Sequence, residues 1–240
     1  HFESWLNKPI ASLVNARQLL IEHRRIANHA PIAANNALQA LRRVVNYSVA
    51  IHKDLREWPT DDLSRLDVWA EQKPRSRKVH PSEFPDFWRA LMGLENEEQR
   101  DYFVFLLLTG CRRREALALR ASDIDFRRGE LTFRATKNGS DHTIPLTLSI
   151  KSLIDRRLLS DPNTSDPKLF SLHEPKSITR QIYKETGIQI SPHDLRRTFA
   201  AVGNTVTTTA ILKALLNHKG GKDVTDDYIG EIDSETLKEA

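Results

Sequence analysis

The apolar positions of the first 70 residues recur at helical spacing. In "SLVNARQLLIEHRRIANHA", Leu13, Leu19, Leu20 and Ile26 are separated by polar residues; in "PIAANNALQALRRVVNYSVAIHKDL", Leu38, Leu41, Val44, Val45 and Val49 stay close to a 3.6-residue period. Both stretches predict amphipathic helices, and Pro31 suits the first turn of the second. Further on, "EEQRDYFVFLLLTGCRRREALALRASDIDF" predicts two helices with a break at Thr109-Gly110. The period then drops to two. "GELTFRAT" and "DHTIPLT", separated by "KNGS", predict a β-hairpin with Asn138-Gly139 at its turn. Helical patterning resumes near Thr147 and runs to the end, interrupted by the loop "SDPNTSDPKLF".

Between the two halves, "EQKPRSRKVHPSEFP" carries three prolines and no apolar period. It predicts a helical domain over residues 1–72, a basic linker over 73–82, and a second domain over 83–240. The fold class is mainly α, with a small antiparallel sheet in the second domain.

Composition narrows the function. The longest apolar run, "FVFLLL" (Phe103 to Leu108), is too short to cross a bilayer, so a core helix and no membrane partner are expected. Trp5, Trp58, Trp69 and Trp88 are read as core. The single cysteine, Cys111, excludes an internal disulfide framework and a multi-cysteine zinc site. It reads as a small buried residue in a reducing, intracellular setting. Charge is uneven: residues 1–78 hold 13 Lys/Arg against 8 Asp/Glu, whereas residues 79–240 hold 23 against 24. A basic front half suits a polyanion. Arg24, Arg25, Arg42 and Arg43 on the helices, with Lys73, Arg75, Arg77 and Lys78 in the linker, are candidate phosphate contacts; a solvated face and a plain tether are the blander readings.

Four places carry cationic groups that local structure does not ask for. "TGCRRREAL" puts three arginines directly after a buried run, with Arg112 and Glu115 able to pair at i,i+3. Lys137 adjoins the hairpin turn. "SPHDLRRTFA" sets His193 and Arg196 on one helical face. In "LLNHKGGKDVTDDYIG", His218 follows an apolar helix end and Tyr228 stands ten residues later. His218 could instead cap the preceding helix, and Tyr228 could be a packed aromatic. Together the cations make sense around one phosphate, because guanidinium groups grip its oxygens bidentately and stay charged. A tyrosine can attack that phosphate, and a lysine can protonate the departing alkoxide. Asp123 and Asp125 are better explained by capping than by metal binding. Arg113, Arg114 and Arg197 read as surface or DNA-backbone residues.

In order and spacing these four motifs resemble the tyrosine recombinase (phage integrase) family. The resemblance implies that Arg112, Lys137, His193, Arg196, His218 and Tyr228 form the catalytic set, supported by Glu115. It also implies that residues 1–72 are similar to the family's helical core-binding domain. Expected from it are double-stranded DNA attachment sites, a homotetramer on paired sites, accessory proteins that bend DNA or set direction, and no cofactor or metal. The expected setting is the prokaryotic or phage-infected cytoplasm, at the nucleoid when acting. A start at His1 and a short tail after Tyr228 read as part of a longer protein, without an N-terminal arm-binding domain or the last C-terminal residues. Alternatives are an inactive DNA-binding regulator on the same fold, or a type IB-like topoisomerase.

Overall fold

Asn15 starts the first long helix. Its Oδ1 accepts the backbone N–H groups of Arg17 and Gln18 at 3.0 and 3.3 Å, which satisfies donors that a helix start leaves open. In the computed structural model, which describes residues 5, 7–55, 57–72, 76–159, 165–172, 176–218 and 237, the chain separates into two units, His1–Arg75 and Ser76–Ala240.

The first unit holds the short turn α1 (Ile10–Leu13) and helices α2 (Ala16–Ala27), α3 (Pro31–Ile51) and α4 (Thr60–Arg65). Its core gathers Trp5, Val14, Leu19, Leu38, Val45, Trp58, Leu63 and Val68. A buried polar clasp ties α2 and α3 to Ala70. Asn35 donates from Nδ2 to the Ala70 carbonyl at 2.7 Å and accepts the Ala70 N–H at 3.0 Å, while the His23 ring bonds the same amide oxygen at 2.8 Å.

The second unit is built on α6 (Glu97–Thr109), which lies between α5 (Phe84–Met92) and α7 (Arg113–Ala118) in the chain. Tyr102, Phe103, Phe105 and Leu106 on α6 are fully buried, consistent with a helix that is apolar on most sides. A 3-10 turn (Ala121–Asp123) leads into the antiparallel sheet β1 (Ile124–Asp125), β2 (Glu130–Phe133) and β3 (His142–Pro145), in the order β1-β2-β3. Leu131 pairs with Ile144 and Phe133 with His142, which turns the buried Leu131, Phe133 and Ile144 to the core. Helices α8 (Leu148–Leu159), α9 (Lys176–Thr186), α10 (Pro192–Val206) and α11 (Thr209–Leu215) complete the unit. Both α8 and α10 pack against α6.

Three details differ from the pattern reading. The strand β1 was not visible in the periodicity. The hairpin turns at Asn138-Gly139 as expected, but its ladder is shorter than the pattern suggests: it stops at Phe133 and His142, and residues 134–141 form a loop. That loop has its own fastenings, from the Ala135 N–H to Asp141 and from the Thr136 N–H to the Ser140 carbonyl, with Gly139 at φ 78°. Trp88 is not core. It is 37% exposed and stacks on Phe84.

Candidate active site

Gly110 ends α6 in the left-handed conformation, φ 60°. A β-carbon there would come within 2.5 Å of the Phe199 ring on α10 and 2.9 Å of Leu216. Glycine is thus required both by backbone conformation and by the closeness of α10. Two residues later, Arg112 and Glu115 pair as anticipated. The Glu115 carboxylate accepts the Arg112 backbone N–H at 2.8 Å and its guanidinium at 2.7 Å. One side chain therefore both starts α7 and aims the arginine.

Arg196 is the buried centre of the site, 5% exposed. Nη1 donates to the Gly110 carbonyl at 2.7 Å and Nη2 donates to the Leu216 carbonyl. It thereby joins the end of α6, the middle of α10 and the end of α11. His193, one turn earlier on α10, is exposed over part of its surface and only partly desolvated.

The hairpin loop is fastened to the residue just before His218. Asn138 Nδ2 donates to the Asn217 carbonyl at 2.9 Å, and Asn217 Nδ2 donates to Thr136 Oγ1 at 3.0 Å. Lys137 lies between those two contacts in sequence. From the strand below, His142 Nε2–H donates to the Leu215 carbonyl at 3.0 Å. Asn217 itself has φ 46°, a conformation asparagine tolerates better than most residues. Arg112, Arg113, Arg114, Glu115, Lys137 and His193 line one cleft of about 730 Å³.

Electrostatics tie the set together. Arg196 is held below its ordinary value first by burial, then by Arg112. His218 is pushed down by burial, then by Arg196, Arg112 and His193. His193 is lowered by burial, then by Arg197 and Arg196, with Asp194 opposing and Arg112 adding a smaller push. Arginines gathered this closely beside two imidazoles favour an anion among them. Burial pushes the Cys111 thiol up to about 12, so it is the inert small core residue expected from the sequence. Among the described residues no three His, Cys, Asp or Glu side chains stand together as a metal site.

The structure thus brings Arg112, Glu115, Lys137, His193, Arg196 and His218 to one region. Tyr228, Lys73 and Arg75 lie outside the described residues. Arg24, Arg42, Arg43 and Lys78 are exposed. Arg25 pairs with Glu22 on its own helix. Arg77 is not free in a linker: it bonds Asp194 at 2.9 Å. Sequence reasoning missed Gly110 as a packing requirement, read Asn138 as a turn residue only, and gave His142, Asp194 and Asn217 no role. All five stood inside stretches already under discussion, but no spacing rule pairs 138 with 217 or 77 with 194.

Comparison with known proteins places this arrangement. The chain belongs to the phage integrase family, whose match covers residues 85–233. Among curated relatives it is similar to tyrosine recombinase XerA of Pyrococcus furiosus, 35% identical over 119 residues, covering 45% of this chain and 42% of the relative. It is also similar to prophage integrase IntF of Escherichia coli, 30% identical over 153 residues, covering 59% of this chain and 32% of the relative. It spans less than half the length of either. The fold is shared with the Tn1549 transposon integrase in complex with circular intermediate DNA (TM-score 0.68, 19% identity, 95% of this chain and 84% of that one). It is shared also with a lambda integrase tetramer bound to a Holliday junction (TM-score 0.67, 16% identity, 88% and 66%).

Proposed function

We propose that this chain is the DNA-cleaving part of a site-specific recombinase, which cuts and rejoins strands through a 3′-phosphotyrosyl intermediate during integration or excision of a mobile element. The observation that carries this reading is geometric: Arg112, Lys137 and His193 line one cleft, with Arg112 and Arg196 near enough to add to burial in lowering both His193 and His218. Among the described residues, Glu115 alone is bonded to that group as a counter-ion. A phosphodiester fits the remaining charge, and its more negative transition state fits it better.

In the proposed step the Tyr228 phenol oxygen bonds to phosphorus as the bond to the 5′ oxygen breaks. The phenol proton passes to His193, which is neutral because its proton affinity is lowered. Lys137 returns a proton to the 5′ oxygen. Arg112 and Arg196 hold the non-bridging oxygens with His218 beside them. The ester energy is kept in the phosphotyrosine, so rejoining needs no nucleotide cofactor. The proposed partners are duplex attachment sites, three further copies of the chain on paired sites, and accessory DNA-bending proteins. Residues 1–72 are proposed as the helical domain that closes on the duplex, carrying Arg24, Arg25, Arg42 and Arg43, with Lys73, Arg75 and Lys78 following.

The test is incubation with a library of nicked duplexes in EDTA, reading protease-sensitive covalent adducts on a denaturing gel. Wild type should give adducts and Tyr228→Phe none, with duplex binding kept. Adducts from the phenylalanine variant would remove Tyr228 as nucleophile. Tight binding without any adduct from wild type would favour the DNA-binding regulator.

A further inference from the structure

The segment that opens the second unit is bolted to the helix that carries His193 and Arg196. Arg77 Nε donates to Asp194 Oδ2 at 2.9 Å, and the Val79 N–H donates to Thr198 Oγ1 at 3.0 Å. The Thr198 hydroxyl in turn donates to the Asp194 carbonyl at 2.9 Å. Asp194 and Thr198 are four apart, on one face of α10. The Asp194 side chain is 1% exposed, and every one of its donors is identifiable. Oδ2 also accepts the Ser191 N–H and hydroxyl, at 2.9 and 2.7 Å; Oδ1 accepts Arg197 Nη1 at 2.6 Å. Ser191 and Arg197 belong to α10 and its cap, so they cannot fix the helix against anything else. Among the described residues, Arg77 is the donor to Asp194 that comes from another part of the chain.

Resting on the recombinase reading above, we propose that Arg77 is a positioning residue for cleavage: its bond to Asp194, with Val79 on Thr198, sets the rotation of α10. Asp194 lies between His193 and Arg196 in sequence. A turn of the helix that lengthens the Arg77 bond therefore displaces both groups, and pulls Arg196 off the Gly110 and Leu216 carbonyls. Reacting groups displaced by about 1 Å lose on the order of 100-fold in rate. An arginine that the charge pattern assigns to the DNA backbone thus acts inside the protein.

The experiment measures single-turnover cleavage at saturating protein for wild type, Arg77→Ala and Arg77→Lys, alongside duplex affinity over a salt series. The expected result is a rate constant lowered about 10- to 100-fold in the alanine variant. Adduct amplitude, affinity and salt slope should hold, and the lysine variant should fall between. A smaller folded fraction would lower amplitude and leave the rate constant alone, so a purely structural role is distinguishable. A wild-type rate constant in Arg77→Ala overturns the inference. So does weaker binding with a salt slope reduced by about one, which marks a phosphate contact. If Arg77→Ala does not fold, the lysine variant carries the same test. If wild type forms no adduct, the recombinase reading has failed by itself, and amide exchange along residues 195–200 decides the remainder: faster exchange in the variant supports the bolt, and unchanged exchange overturns it.

Discussion

His193 and His218 both titrate below the ordinary histidine value of 6.5, burial being the first cause in each and neighbouring arginines the next. Both rings are therefore neutral near pH 7. As pH falls through 6.5 the unfolded chain takes up protons before the folded one, so these two residues cost stability on acidification. A phosphate seated among Arg112, Arg196 and His218 reverses the sign at His218, because an anion favours the protonated form, while His193 stays neutral to serve as the base. Duplex binding should accordingly take up protons, and affinity at fixed salt should rise as pH falls from about 7.5 to 6. Histidine ring titrations by NMR, assigned with His193→Asn and His218→Asn, measure this with and without duplex. A His218 titration unmoved by duplex would place that ring away from the phosphate. At this scale much of the site was legible: Arg112, Glu115, His193 and Arg196 announce themselves by spacing within single helices. Asn217, His142 and Asp194 do not. Their partners lie at residue 138, at the Leu215 carbonyl and at residue 77, and no local pattern encodes a contact of that sequence separation.

Elements were read best where one force shaped them. The apolar face of α2 follows from its period, the deep burial of α6 from its apolar run, and the break at Gly110 from its left-handed backbone. Strand β1 escaped because a two-residue strand has no period to detect. The helix α3 shows what exposure adds to pattern. From residue 23 to residue 53 the chain contains no Asp or Glu, and the outer face of α3 presents Asn36, Gln39, Arg43 and Asn46. Neither Arg42 nor Arg43 has an ion-pair partner among the described residues. Such a face meets polyphosphate with no repulsion to overcome. Replacing Arg42 and Arg43 by alanine should weaken binding to every duplex tested and reduce the salt slope by about one per arginine that contacts a phosphate. Fluorescence anisotropy over a salt series reads both quantities. An unchanged slope would return the two arginines to a solvated face.

The whole molecule has two cores of unequal size, and they share no residue. The first gathers eight buried apolar side chains within a unit of 75 residues; units of that size bury a smaller fraction of their surface and are correspondingly marginal. The second has Tyr102, Phe87, Phe103, Phe105, Phe133 and Phe170 fully buried. Each buried aromatic of this kind contributes roughly 1.5–3 kcal/mol against exposure. The first unit should therefore unfold at lower denaturant. The tryptophans provide the assay, since Trp5, Trp58 and Trp69 lie in the first unit and Trp88 alone in the second. Trp5 and Trp58 are buried, whereas Trp88 is 37% exposed, so emission reports chiefly on the first unit, and far-ultraviolet ellipticity on the helices of both. In a urea titration the fluorescence transition should precede the ellipticity transition, and duplex should move it to higher urea by mass action on the folded form. Coincident transitions would mean that the two units unfold as one cooperative body, and the small core would then be drawing its stability from the large one.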